Sequence, residues 1–104
     1  NEDFLKEIEL LAPFGSGNSE PKFVIENLSV VKSNIIKNIH IKSILKGRDG
    51  SIIKSFLWNA MNTAYEEILT KKSKKTFNAV GKIKLNEWQG KKSVEFIIED
   101  ISLN

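Results

Sequence analysis

Lys37, His40, Lys42, Lys54, Lys82, Lys84, Lys91 and Lys92 share one property that matters for chemistry: a cationic or hydrogen-bonding tip on, or in a turn beside, a stretch that mixes polar and apolar residues. In a strand such alternation sends every second side chain to the same side, so Lys42 with His40, and Lys82 with Lys84, form short rows of polar groups above a sheet. Trp88 lies among polar neighbours just before Lys91 and Lys92 and offers a flat ring beside cations. Ammonium groups can neutralise phosphate while an indole beside them stacks on planar rings. This is the chemistry of holding a ligand without breaking its bonds.

Bond-breaking chemistry lacks its parts. Asp49, Glu87, Glu99 and Asp100 are dispersed, and no serine or histidine pair supplies a nucleophile with its base. Glu99 and Asp100 are adjacent, which in a regular strand sends their carboxylates to opposite faces. His40 is the single histidine and there is no cysteine, so thiolate metal sites and disulfides are excluded. Gly15-Ser16-Gly17 is not a phosphate loop, because no lysine-serine pair and no helix follow it. Lys71, Lys72, Lys74 and Lys75 crowd the C-terminal end of a predicted helix, where they complement its dipole.

Composition describes one ordinary globular domain. The 104 residues are 40% hydrophobic and 28% charged, with 16 basic and 13 acidic residues giving a net charge of +3. That balance is compatible with a polyanionic partner without requiring one. No apolar run is long enough to cross a bilayer, and no secretory signal pattern is visible. The chain starts at Asn1, as expected of a piece cut from a longer protein.

The elements that must position these residues follow from periodicity and turn chemistry. Phe4, Ile8 and Leu11 predict a helix from Asp3 to Ala12, packed on the outside of the domain. Pro13 to Pro21 is a glycine- and proline-rich loop, with Phe14 anchoring it. A first strand is expected over Phe23 to Lys32, with a bulge at Glu26-Asn27, then a turn around Ser33 to Asn38. A second strand spans Ile39 to Leu45, Lys46 to Gly50 makes a hairpin, and a third strand spans Ser51 to Trp58. A helix over Ala60 to Lys72 follows, or a later start with Thr63 and Glu66 as its capping box. A fourth strand over Thr76 to Leu85, a turn over Asn86 to Gly90, and a fifth strand over Lys91 to Ile101 complete the chain. Three strands, a helix and two strands is the order of the five-stranded oligonucleotide-binding barrel, the OB-fold. The expected class is therefore all-β: an N-terminal helix and connecting loop over residues 1–22, and the barrel over residues 23–104.

On that barrel the working surface is centred on the second and third strands and flanked by the loops after strands one and four. Lys37 falls in the first of these loops, and Trp88, Lys91 and Lys92 in the second. Phe56 and Trp58 share one face of the third strand with Lys54, and Ser55 and Leu57 occupy the other. Because serine fills a core poorly, the expectation is that Phe56 and Trp58 point inward and Lys54 sits near the rim. For Trp88 two roles stay open, a platform for a base or a staple holding the hairpin to the barrel.

Two motifs resemble one family. Pro13-Phe14-Gly15-Ser16-Gly17-Asn18-Ser19-Glu20-Pro21 is similar to a segment that opens the last part of RecJ, the bacterial single-strand-specific DNA exonuclease, with Ser19 where that family usually has proline. Asn86-Glu87-Trp88-Gln89-Gly90, followed by Phe96-Ile97-Ile98-Glu99-Asp100-Ile101, resembles its terminal turn and strand. The resemblance spans nearly the whole chain. It implies a single-stranded DNA-binding OB domain of a cytoplasmic bacterial repair and recombination nuclease that degrades DNA 5′ to 3′. The family's Asp-His-His metal motif is missing, so nuclease activity and its manganese or magnesium are expected elsewhere in the parent protein. No cofactor and no catalytic residue is expected in this chain. Implied partners are single-stranded DNA, the nuclease core of the same polypeptide and single-strand-binding protein, with no membrane. The alternative is an architectural domain that closes the nuclease channel without gripping DNA itself.

Overall fold

The computed structural model describes residues 20–70 and 75–104, together with the backbone of Glu9–Leu10. Its strands are β1 (Glu9–Leu10), β2 (Phe23–Ile36), β3 (His40–Lys46), β4 (Ile52–Leu57), β5 (Phe77–Trp88) and β6 (Lys91–Leu103). One helix, α1 (Ala64–Thr70), stands between β4 and β5. The strands pair in the order β2, β3, β4, β6, β5, and β5 returns to β2, so five of them close a barrel. All pairings are antiparallel except β4 with β6, which is parallel through Lys54–Glu95, Ser55–Phe96 and Phe56–Ile97. This is the all-β OB architecture expected from the element order.

Closure depends on local departures from a regular ladder. Ile25 and Leu28 are both fully buried although three residues apart, which strict alternation forbids. The register of β2 against β5 slips between them, and Asn27 takes a positive φ of 58°. The bulge expected at Glu26-Asn27 is therefore present, with the Asn27 amide donating to Asn78 Oδ1 at 3.1 Å. A second shift falls between Val80 and Gly81, where β6 advances from Asp100 to Ile98 and leaves Glu99 as the extra residue. Gly81 is indispensable there on steric grounds. A Cβ at that position would stand 2.0 Å from the Ile97 carbonyl oxygen.

The hairpins are tighter than expected. β2 continues to Ile36 rather than stopping at Lys32, and the turn is only Lys37 to Ile39, with Lys37 and Asn38 at φ of 53° and 60° and a 3.1 Å bond from the Ile39 amide to the Ile36 carbonyl. Likewise the Asn86 to Gly90 turn reduces to Gln89-Gly90 (φ 50° and 78°), because Asn86, Glu87 and Trp88 still pair with Ser93, Lys92 and Lys91. Left-handed turns of this kind match the twist of the strands they join, so the ladders run on to the turn itself.

The core reverses one expectation. Ser43 and Ser55 are buried, as are Ile53 and Leu57, whereas Phe56 is half-buried and Trp58 is 60% exposed. Phe56 and Trp58 thus face outward with Lys54, not inward. The serines work inside because their hydroxyls have partners. Ser55 Oγ donates to the Ser43 carbonyl at 3.1 Å, Ser33 and Ser43 hydroxyls meet at 3.1 Å, and Ser33 Oγ donates to the carbonyl of Leu69 in α1. A carbonyl in the last turn of α1 thus gains a side-chain donor. The small residues leave room for α1, whose Leu69 is almost wholly buried in the core beside Leu28, Ile41 and Phe77.

α1 is shorter than the predicted span. It starts late, with Thr63 Oγ1 accepting from the Tyr65 amide at 3.2 Å and Glu66 Oε1 accepting from the Asn62 amide at 2.8 Å, a variant of the expected capping box. Asn59 and Asn62 have positive φ, which no helix through Ala60 tolerates. At the other end of the chain, Glu9–Leu10 pairs with Val24 and Phe23 as a strand, so the helix expected over Asp3 to Ala12 does not form at these two residues. β2 has exposed backbone groups to satisfy on its outer edge there, and pairing overrides helical spacing. The rest of that expected helix, including Phe4, Ile8 and Leu11, lies outside the described residues, as do Phe14, most of the Pro13–Pro21 loop, and Lys71, Lys72 and Lys74.

Candidate nucleic-acid interface

The outer face of β3, β4, β6 and β5 carries the site. Pleating sends His40, Lys42 and Ile44 outward from β3 and Lys54 and Phe56 outward from β4, with Trp58 just past its end, while Ile41, Ser43, Leu45, Ile53, Ser55 and Leu57 fill the interior. Strand register then sets the neighbours. Lys42 lies opposite Phe56, and Phe56 opposite Ile97; Lys54 lies opposite Glu95, and Glu95 opposite Lys84.

Three rings pack together on this surface, His40 and Phe56 each edge to face with Trp58 and tilted against one another. His40 and Trp58 have centroids 4.6 Å apart, Phe56 and Trp58 4.8 Å, and His40 and Phe56 5.6 Å. These are the separations at which aromatic quadrupoles attract. His40 is fixed further by its Nδ1, which accepts a 2.9 Å bond from the Asn59 amide and leaves the proton of the neutral ring on Nε2. Beside the rings opens a cleft of about 370 Å³ lined by Ile36, Lys42, Phe56, Trp58, Lys84, Glu95 and Ile97. It has an apolar floor, an exposed indole and one ammonium on each flank. Such a cleft can seat a flat apolar ring and place a cation beside an anion attached to it.

The family model of the RecJ OB domain matches residues 1–100. The chain belongs to the RecJ OB domain family. No curated protein matches it. In this RecJ OB domain the expected site residues separate into groups. Lys42 and Lys84 line the cleft, His40 packs behind its Phe56 and Trp58 rings, and Lys54 stands exposed next to it. Lys37 is exposed on the β2–β3 turn. Trp88 and Lys91 face each other near the tip of the β5–β6 hairpin, on the face that also bears Lys84; Trp88 is 75% exposed and therefore staples nothing to the core. Lys92 pairs with Glu87 on the opposite face of the same hairpin. Lys82 is engaged by acids, its Nζ lying 3.4 Å from Glu20 and 3.6 Å from Glu99, and Glu99 also holds Lys22 at 2.7 Å.

Sequence reading missed Ile36, Glu95 and Ile97 and assigned Phe56 and Trp58 to the core. A signal was available. Ile41-Lys42-Ser43-Ile44-Leu45 and Ile53-Lys54-Ser55-Phe56-Leu57 share an apolar-Lys-Ser-apolar-Leu pattern, so the serine face of one strand must match the serine face of its neighbour. No group of three or more His, Cys, Asp or Glu side chains that could hold a metal ion occurs among the described residues. Asp100, outside the cleft, accepts from the Tyr65 hydroxyl; that bond, with a second from the Ile101 amide, holds its carboxyl below the ordinary range and pushes the Tyr65 phenol up.

Proposed function

We propose that this RecJ OB domain binds single-stranded DNA across the outer face of β3, β4, β6 and β5. On this reading it serves a RecJ-like 5′-to-3′ exonuclease of bacterial cytoplasmic repair and recombination, whose catalytic residues and metal lie outside this chain. The observation that carries the reading is the surface His40–Phe56–Trp58 cluster, with the Trp58 ring open to solvent and Lys42, Lys54 and Lys84 around it. Surface rings that are held rigid yet left open lose little freedom when a base stacks on them. Single strands expose base faces and phosphates together, whereas a duplex hides the faces, so the pairing of rings with cations favours the single strand. Lys37, Trp88 and Lys91 extend the surface toward its two turns. Lys82 is a weaker contributor because it is already neutralised by Glu20 and Glu99.

Fluorescence anisotropy with a labelled oligothymidylate of about ten nucleotides, within the usual OB footprint, tests this. Binding that weakens when Trp58 is replaced by alanine and when salt is raised supports it. Saturable binding unaffected by Trp58→Ala and Lys42→Glu would move the site elsewhere. No binding at all would favour the architectural role.

A further inference from the structure

Glu95 is out of place on a surface built for phosphate. It is half-buried in the cleft wall between Lys54 and Lys84, next to Phe56 and Ile97. The other acids of β6 have partners: Glu99 is held by Lys22 and Lys82, and Asp100 by Tyr65. Among the described residues, the Glu95 carboxylate has no hydrogen-bond or ion-pair partner, although lysines flank it in the register. An acceptor left unpaired beside apolar rings is available to a ligand donor.

We propose that Glu95 biases the cleft toward bases carrying an exocyclic amino group. This rests on single strands occupying the cleft as described above. An ionised carboxylate only accepts hydrogen bonds. Cytosine and adenine present an amino donor at the edge where thymine and uracil present a carbonyl oxygen. A base stacked against Trp58 and Phe56 brings its edge toward the β6 side of the cleft, where Glu95 stands. There an amino group donates to the carboxylate. Uracil has its one N–H between two carbonyl oxygens, which the carboxylate repels. The rings still accept any base, so Glu95 adds a preference to a sequence-tolerant platform.

The test compares labelled oligodeoxycytidylate and oligodeoxyuridylate, which differ only in the groups Glu95 would read, at one salt concentration. Wild type should bind the cytosine strand roughly five- to tenfold more tightly, the low end for one good base-edge contact. Glu95→Gln, whose amide both donates and accepts, should raise affinity for the uracil strand and bring the ratio close to one, with its melting temperature confirming the fold. If neither strand binds, the reading of the cleft as a single-strand site fails and takes the preference with it. If both bind equally to wild type, or Glu95→Gln tightens both by the same factor, Glu95 is only a charge near phosphates. The proposal is then overturned while single-strand binding stands.

Discussion

On the inner face of the β3–β4 hairpin stand Ser43, Ser55 and Leu57, buried; on its outer face stand Lys42, Phe56 and Trp58, open to solvent to different degrees. The larger side chains are on the outside. The interior can use serines because Leu69 of α1 adds apolar volume to the core and its carbonyl accepts from Ser33, whose hydroxyl meets that of Ser43. The outside can keep its rings because they pack on one another, which preserves their geometry without hiding Trp58. Burial here follows from what an opposing element brings, and side-chain size alone misjudges it.

If the inner face sets stability and the outer face sets binding, substitutions on the two should have separable effects. The largest is expected inside. Gly81→Ala forces a Cβ against the Ile97 carbonyl, which is backbone and cannot rotate away. Circular-dichroism melting should show a melting temperature lower by roughly 10 °C or more, or no cooperative fold. A normal melt would mean the barrel closes more loosely than Gly81 suggests.

Trp58→Ala comes next and should act on the other quantity. Loss of a stacking platform is worth about 1–3 kcal/mol, so affinity should fall roughly tenfold. The melt should move only by the loss of ring contacts, about 1 kcal/mol. Lys42→Gln with Lys84→Gln sharpens the contrast by charge. With Lys42, Lys54 and Lys84 as phosphate partners, the slope of log affinity against log salt is about −2, and the double variant should reduce it to about −0.7. Lys92→Gln, on the opposite face of the hairpin, should leave the slope unchanged.

Trp88 offers a second comparison on the same face. It is more exposed than Trp58 and stands apart from the three-ring cluster, so Trp88→Ala should cost roughly fivefold or less in affinity, the low end for stacking. Its melt should not change.

The smallest effect concerns Tyr65 and Asp100. The carboxyl is held below its ordinary range, so that bond stabilises the fold above the unfolded carboxylate pKa and is lost as pH falls through the lowered value. The phenol is raised, so its share is complete below the ordinary tyrosine pKa and fades as pH climbs through the raised value. Tyr65→Phe should return the Asp100 carboxyl toward the ordinary range in an NMR pH titration, with binding untouched.

Much of the fold was legible in the chain. Strand order, the Glu26-Asn27 bulge and the Thr63–Glu66 cap follow from turn chemistry and local hydrogen bonding, which act over a few residues. The strand at Glu9–Leu10 was not legible, because its partner is β2 and the helical spacing around it is a purely local signal. Nor was the orientation of Phe56 and Trp58, which depends on a serine network spanning β2, β3, β4 and α1. The lysines of the candidate site could be named from alternation. Separating Lys84 from Lys82 and Lys91 from Lys92 needed the register and the acids opposite them.

The most direct experiment titrates an unlabelled oligothymidylate of about ten nucleotides into the isotope-labelled chain and follows its amide and indole N–H signals by NMR. Shifts should concentrate at Lys42, Lys54 through Trp58, Lys84 and Glu95 through Ile97, with the Trp58 indole moving more than that of Trp88. Shifts confined to the Lys92 side of the hairpin or to Tyr65 and Asp100, with the Trp58 indole unmoved at saturation, would contradict a binding surface on the outer face of β3 and β4.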